Sequence, residues 1–138
     1  MRRKAILMFC FLCLSPGFGR ASNLDDAWRR VFAVESSNGQ DPRAFVENHA
    51  RALGIAQITP VMVRDVNRIL RAPVFSLDDR LDWAASREMF RVAQEHYNRG
   101  ESVETMCRFW LRGPSRKLQY DKHGDKYWAA CQRKAGTK

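Results

Sequence analysis

The sequence has little of what large or nucleotide-dependent enzymes need. It holds 138 residues, which is enough for one compact domain and too few for two. No GxGxxG or GxxxxGK(S/T) string is present, so the usual nucleotide-binding loops are excluded. Histidine occurs only three times, and none has a ligand spacing with a cysteine. We therefore expect no zinc site, no other metal and no cofactor.

Strand signals are missing as well. No segment alternates apolar and polar residues over the length of a strand, and no Asn-Gly turn lies between β-branched runs. Caps and apolar stripes at helical spacing recur instead and predict a mainly α fold. His96 falls on the inward face of one such stripe, and the stretch 41–58 is expected to form an irregular loop or a short hairpin. Five helices are predicted, beginning near Asn23, Thr59, Asp82, Ser102 and Asp125.

The start of the chain has the pattern of a secretory signal peptide. Three basic residues at 2–4 precede the ten apolar residues Ala5–Leu14, and a Ser-Pro-Gly break and two small residues, Gly19 and Ala21, follow. Ten apolar residues are too few to span a bilayer, so no stable membrane anchor is expected. We predict a cleaved segment 1–21, a domain over 22–138, and a periplasmic or secreted protein. The alternative is an uncleaved amphipathic start or a short anchor.

Removing that segment lowers the positive charge. Four basic residues and no acid leave with it, so 20 basic and 15 acidic residues remain and the net charge falls from +9 to +5. A modestly basic chain suits a polyanionic cell envelope, and it also suits plain solubility. The basic residues are scattered, with no dense stripe, so a nucleic acid is not expected as a partner.

Cysteine usage follows the same boundary. Cys10 and Cys13 lie in the predicted signal segment, and Cys107 and Cys131 remain as an even pair. In an exported chain we expect this pair to form one disulfide. Its loop-closure effect would stabilise the fold by roughly 3 kcal/mol. The alternative is two separate buried thiols.

Glu35 occupies an unusual place for a carboxylate. It follows Val31 by four residues and Trp28 by seven, so the three side chains point within about 60° of one another on a helix. An acid on an apolar stripe resists ionisation, and its pKa is expected to rise. Such a group can donate a proton to a leaving oxygen. The alternatives are a solvated Glu at a helix end and one paired with an Arg.

A second polar group interrupts the apolar stretch that precedes the helix expected at Thr59. Gly54 permits a close backbone approach or a positive φ, and three residues later Gln57 offers both a donor and an acceptor. An amide of this kind suits the hydroxyl and N-acetyl groups of a sugar, although a glutamine before a helix is more often structural.

Taken in order, these segments resemble a known family. Residues 35–36 (ES), 41–44 (DPRA) and 54–60 (GIAQITP) resemble the soluble lytic transglycosylase domain of the lysozyme-like superfamily, in order and in spacing. Residues 110–114 (WLRGP) fall where that family has an aromatic-Asn-x-Gly segment. Residues 127–128 (YW) fall where it has a tyrosine near its closing helix. The resemblance covers roughly residues 25–133 and implies a single lysozyme-like helical domain with an active-site cleft.

The resemblance also implies roles for individual residues. Glu35 would be the single catalytic acid/base, Gln57 would contact the glycan beside the scissile bond, and Ser36 would support Glu35 or the substrate. Gly54 would shape the cleft wall, Trp110 would be an aromatic floor, and Tyr127 would lie near Glu35. The substrate-binding set is Ser36, Gly54, Gln57, Trp110, Gly113 and Tyr127.

Two positions depart from the family's pattern. Ala56 stands where the family has a methionine before the glutamine, so one cleft wall is thinner. Leu111 stands where the family has an asparagine, which removes a polar group expected near the substrate. The second departure bears on rate, substrate choice and activity itself.

The activity implied is cleavage of the β-1,4 bond between N-acetylmuramic acid and N-acetylglucosamine in peptidoglycan, with formation of a 1,6-anhydro ring. Two alternatives remain: a muramidase of the same fold that adds water, and a peptidoglycan-binding module without turnover. Asp41 and Glu47 are the nearest acids that could serve a hydrolytic route. The expected partner is the glycan strand, and an envelope-spanning secretion, pilus or conjugation machine is a further candidate.

Overall fold

The computed structural model describes residues 18–135 and, from residue 23 onward, their side chains. Most of the predicted signal segment 1–21, including Cys10 and Cys13, lies outside the described residues. Within residues 18–135, no helix is long and apolar enough to cross a membrane.

Six α-helices account for most of the described chain. Two 3₁₀ helices, Pro42–Phe45 and Asp78–Leu81, lie in the connections, and a single antiparallel bridge joins Leu53 to Ile58. No strand forms among residues 18–135, which confirms the mainly α fold. The helices are α1 Phe18–Ser36, α2 Pro60–Leu70, α3 Trp83–Tyr97, α4 Val103–Arg112, α5 Arg116–Gln119 and α6 Lys122–Ala135.

Three helix starts are capped as the sequence indicates. The Thr59 hydroxyl accepts a hydrogen bond from the backbone N–H of Met62 at 3.3 Å, and Asp82 and Ser102 cap α3 and α4 in the same way. Each cap provides an acceptor for an N–H group that has no partner within its helix. Gly113, at φ +70°, ends α4 as expected.

Two predicted helix starts are wrong. Helix α1 begins at Phe18, so Asn23 lies inside it rather than capping it, and α6 begins at Lys122 rather than Asp125. The short helix α5 was not predicted from the sequence. Asp121 caps the start of α6, because its carboxylate accepts the backbone N–H groups of His123 and Gly124 at 2.9 Å.

The inward position predicted for His96 is also wrong, since its side chain is exposed. Its neighbour Tyr97 covers the end of α3 instead, with its ring 5.1 Å from that of Phe109 and its hydroxyl on Asp65 at 2.8 Å. The apolar stripe of α3 has the predicted helical period. The last turn of α3 lies at the edge of the core, however, so His96 on that turn is exposed.

The core consists of two clusters that meet at Trp28 and Trp110. Helices α1, α4 and α6 pack against one another around the first cluster, and α3 contributes its Phe90. Helices α2 and α3 pack together around the second, with α4 contributing Phe109. The first holds Ala27, Val31, Phe90, Met106, Cys107, Tyr127 and Cys131; the second holds Ala56, Ile58, Val63, Val66, Met89, Val92, Ala93 and Phe109.

Candidate active site

Glu35 lies in the last turn of α1, on the face that packs against the rest of the protein. Val31 on the same face is fully buried, and Glu35 itself is half-buried. Its carboxylate oxygen Oε1 accepts a hydrogen bond of 2.6 Å from the hydroxyl of Tyr127 in α6. The expected contact between these two residues is therefore present, and no arginine among the residues with described side chains pairs with Glu35.

Burial controls the ionisation of this carboxyl group. Desolvation raises the pKa of Glu35 from 4.5 to about 7, although the hydrogen bond from Tyr127 acts in the opposite direction. The pKa of Tyr127 is raised well above its usual value, first by its own burial and then by the neighbouring carboxylate. Near neutral pH Glu35 is thus present in both protonated and ionised forms, which is the condition for donating and then accepting a proton.

The turn after Glu35 is fixed by Ser36. The serine hydroxyl donates to the carbonyl of Phe32 at 3.1 Å and accepts from the N–H of Gly39 at 3.0 Å. Residues 37–39 all have positive φ, so the chain reverses sharply at this point. Ser36 is fully buried, and both hydrogen bonds of its hydroxyl hold the end of α1, the helix that carries Glu35. Its predicted support of Glu35 or of the substrate stays a prediction.

Gln57 is tied into the protein by its side-chain amide. Both N–H groups of Nε2 are donated internally, to the carbonyls of Ala44 at 3.0 Å and Gly54 at 2.9 Å. Its oxygen accepts from Asn48 at 3.2 Å. The residue has φ +52°, which costs backbone energy in a non-glycine residue. Both donors of the half-buried amide are engaged within the protein, and its oxygen retains one acceptor position beyond the bond from Asn48. The predicted contact of Gln57 with a glycan stays a prediction.

Gly54 is required by close packing. A Cβ atom there would lie 1.8 Å from the carbonyl oxygen of Arg80, and φ is +82°. Gly54 was predicted to shape the cleft wall. The structure shows that it packs against the backbone of Arg80, a contact that the sequence did not indicate. Arg80 is buried, and its guanidinium donates to the carbonyl of Arg51 at 2.8 Å and to Glu47 at 3.2 Å. Nothing in the sequence distinguishes Arg80 from the many arginines on the surface.

Trp110 joins the two core clusters. Its indole N–H donates to the carbonyl of Ala56 at 2.9 Å, and its ring centroid is 4.9 Å from that of Phe90. The side chain is half-buried, so part of the ring is accessible. Gly113 serves as the cap of α4, and its carbonyl accepts from Gln119 at 2.7 Å. Leu111, which stands where the family has an asparagine, is 44% exposed.

Short contacts connect these elements to the end of α1. The carbonyl of Ser36 accepts from the N–H of Asp41 at 3.0 Å, which leads into the 3₁₀ helix that contains Ala44. The carbonyl of Ala44 in turn accepts both the N–H of Gly54 at 2.7 Å and the amide of Gln57. The segment 41–57 is therefore anchored to the residue that follows Glu35.

The two cysteines of the predicted disulfide meet in the first core cluster, but as thiols. Both are free and fully buried, and the side chain of Cys131 hydrogen-bonds that of Cys107. This contact and burial raise the pKa of Cys107. The two cysteines are separate thiols in this structure, and the disulfide predicted for the exported protein stays a prediction. The pair connects α4 to α6 through the contact between the two buried side chains.

Two of the cavities that the described residues form border α1, and Glu35 lines neither of these two. One lies between α1 and α3, has a volume of about 340 Å³, and includes Trp28, Ala84 and Phe90 in its wall. The other, of about 260 Å³, lies between α1 and the end of α6. Among residues 18–135, no three His, Cys, Asp or Glu side chains cluster closely enough to hold a metal ion.

Comparisons with known proteins identify no relative of this chain. A scan against protein-family models finds no match, and searches of the curated proteins and of the solved structures find none either.

Proposed function

We propose that this protein is an exported lytic transglycosylase that cleaves the glycan strands of peptidoglycan, with Glu35 as its only acid/base. The observation that carries the proposal is the half-buried carboxyl group at the end of α1, which has a pKa of about 7 and accepts a hydrogen bond from Tyr127. A perturbed pKa of this kind is typical of catalytic acids. The order of segments that resembles the lytic transglycosylase domain supplies the substrate class.

In the first step, protonated Glu35 would donate its proton to the glycosidic oxygen while the bond to the anomeric carbon breaks. The N-acetyl group of the substrate can stabilise the positive charge that develops at that carbon. As the proton leaves, Glu35 becomes a carboxylate, and the hydroxyl of Tyr127 is already placed to donate to it. That hydrogen bond favours the charged form at the moment when it is produced.

In the second step, the Glu35 carboxylate would accept a proton from the C6 hydroxyl of the sugar. The oxygen of that hydroxyl then bonds to the anomeric carbon and closes the 1,6-anhydro ring. The proton returns to Glu35, so the enzyme is regenerated and no water is consumed. The nucleophile belongs to the substrate, and one protein carboxyl is sufficient.

The neighbouring acids favour this route over hydrolysis. A two-carboxylate hydrolase needs a second free Asp or Glu roughly 5–9.5 Å from the first. Asp41 is paired with Arg43 at 2.8 Å and also caps the 3₁₀ helix, and its pKa is lowered by Arg43. Glu47 is held by Arg51 and Arg80, which likewise lower its pKa. Both candidates for a second carboxylate are thus engaged by arginines.

The reaction can be tested with purified peptidoglycan. Mass spectrometry of the soluble products separates the alternatives, since anhydro ends are one water lighter than the reducing ends left by a muramidase. Anhydro products from the wild type, and none from Glu35→Gln, would support the proposal. Reducing ends would point to a muramidase, and glycan binding without any product would point to a binding module.

Export is part of the same proposal and rests on the predicted signal segment. N-terminal sequencing of the protein recovered outside the cytoplasm should give a chain that begins at Ser22. A chain that still begins at Met1 would contradict cleavage. Service to a secretion, pilus or conjugation machine would follow only if the protein is recovered together with such an assembly.

A further inference from the structure

Trp83, the first residue of α3, presents a large aromatic ring to solvent. It is 53% exposed, although a tryptophan gains more than other side chains from burial. Its ring is nevertheless held firmly. The ring of Phe32 contacts it edge-on, with centroids 5.1 Å apart and planes at 71°. Gly39 also lies against the ring, where a Cβ atom would be only 2.6 Å from Trp83 Cζ2.

Both contacts of Trp83 are with residues that flank Glu35 in the chain. Phe32 lies three residues before Glu35 on α1, and Gly39 lies in the turn that follows it. Ser36 locks this turn through its hydrogen bonds to the same two residues, Phe32 and Gly39. The position of the Trp83 ring is therefore coupled to the end of the helix that carries the carboxyl group.

The ring also continues a row of aromatic side chains. Phe32 stacks on Trp28 with centroids 5.9 Å apart and planes at 3°. The cavity between α1 and α3 begins at Ala84, the residue after Trp83, and passes Trp28. Charged groups lie along this cavity, among them the ion pair of Arg87 with Asp25 at 2.7 Å. An apolar wall with a few polar groups is typical of ligand-binding sites.

We propose that Trp83 is a sugar-stacking platform that binds one N-acetylhexosamine ring of the glycan strand next to the bond addressed by Glu35. The axial C–H groups of such a ring form an apolar face that matches a flat indole surface. A ring already fixed by Phe32 and Gly39 loses little conformational entropy when it is covered. This inference rests on the proposed function for its ligand, but it concerns binding and is testable apart from cleavage.

The probe is a soluble tetrasaccharide of alternating N-acetylglucosamine and N-acetylmuramic acid, titrated into the Glu35→Gln protein so that it is not consumed. The indole N–H signal of Trp83, assigned by its loss in Trp83→Phe, should shift saturably in the NMR spectrum. Trp83→Ala in the same background should raise Kd about tenfold, and Trp83→Phe should raise it less. Tyr120→Ala, at a similarly exposed aromatic residue (52%), is the matched control and should leave Kd unchanged.

Thermal unfolding of each variant shows that the fold is retained. If the tetrasaccharide binds and Trp83→Ala leaves Kd unchanged, the platform is wrong while the proposed function is unaffected. If Trp83 binds the probe but the wild type releases nothing from peptidoglycan, the platform holds and the proposed function fails. Absence of any binding overturns the platform, and the digest of peptidoglycan then decides the function separately.

Discussion

Glu35 and Gln57 are both half-buried polar side chains, but they differ in how many hydrogen bonds the protein provides to them. Glu35 lies among apolar groups with one hydrogen-bond partner, and its pKa is raised to about 7. Gln57 makes three internal hydrogen bonds, and both of its N–H groups are used. A buried polar group with few partners is costly to keep and is typical of a reacting group. One with all its donors used is typical of a structural role.

This difference changes the interpretation of the two motifs that carry the family resemblance. The Glu35 motif retains the features needed for chemistry. The Gln57 motif braces the loop 41–57 against the end of α1 through Ala44, and any effect of Gln57 on activity should therefore act through the loop. The following variants test this contrast between a reacting group and a bracing group.

The largest effect is expected for Glu35→Gln. Removing the only proton donor should reduce release of soluble products from peptidoglycan by at least about 10³-fold, without loss of folding. Glu101→Gln is the control, because Glu101 is an acid that pairs with Arg116 at 2.8 Å away from the site, and it should retain activity within twofold. Comparable activity in Glu35→Gln would reject Glu35 as the acid/base.

A second effect concerns stability against pH. Since the pKa of Glu35 is raised on folding, the folded protein binds more protons than the unfolded chain between about pH 4.5 and 7. The free energy of unfolding should therefore fall as pH rises through this window, by up to about 3 kcal/mol, and less where water reaches the carboxyl. Urea unfolding at pH 4.5 and 8 should show this loss in the wild type and not in Glu35→Gln. An equal loss in both proteins would assign it to other groups.

Gln57→Ala should act on stability rather than on chemistry. It leaves the carbonyls of Ala44 and Gly54 without their side-chain donor, which should lower the free energy of unfolding by about 1–3 kcal/mol. Gln40→Ala, at an exposed site, is the control and should change it by less than about 0.5 kcal/mol. Activity measured well below the unfolding temperature should fall only severalfold. A loss as large as that of Glu35→Gln, in a stable protein, would show that Gln57 takes part in the reaction.

The smallest effect is expected for Tyr127→Phe. It removes the hydrogen bond that lowers the pKa of Glu35 while burial is largely kept, so that pKa should move further upward. The pH profile of kcat/KM should shift toward alkaline pH by a fraction of a unit. A shift toward acid pH would mean that the hydroxyl of Tyr127 does not stabilise the carboxylate.

The place of Glu35 on an apolar helix face and the three confirmed helix caps could be predicted from the sequence because they depend on local spacing. The contact of Glu35 with Tyr127, 92 residues away, followed only from the family resemblance. Trp28, Val31 and Glu35 share a face wherever a helix forms, and Thr59-Pro60 marks a helix start by itself. The start of α1 at Phe18 was missed because the signal pattern overlaps it. The inward placement of His96 failed because periodicity does not show where the core ends.

Long-range contacts account for the rest. The amide of Gln57 finds Ala44, thirteen residues away, and Arg80 finds Arg51 and Glu47 across about thirty residues. Neither pairing leaves a pattern in the sequence. Trp83 looks like an ordinary helix-start residue until Phe32 and Gly39 are seen to hold it. Side chains whose roles depend on such contacts cannot be assigned by spacing alone.

The ionisation of Glu35 can be measured directly by following its side-chain carboxyl ¹³C signal in NMR spectra across pH, with the signal assigned by its absence in Glu35→Gln. We expect a titration midpoint near 7, well above the ordinary value of 4.5. A midpoint close to 4.5 would show an ordinary solvated carboxylate, and Glu35 would then be unsuited to donate a proton at neutral pH.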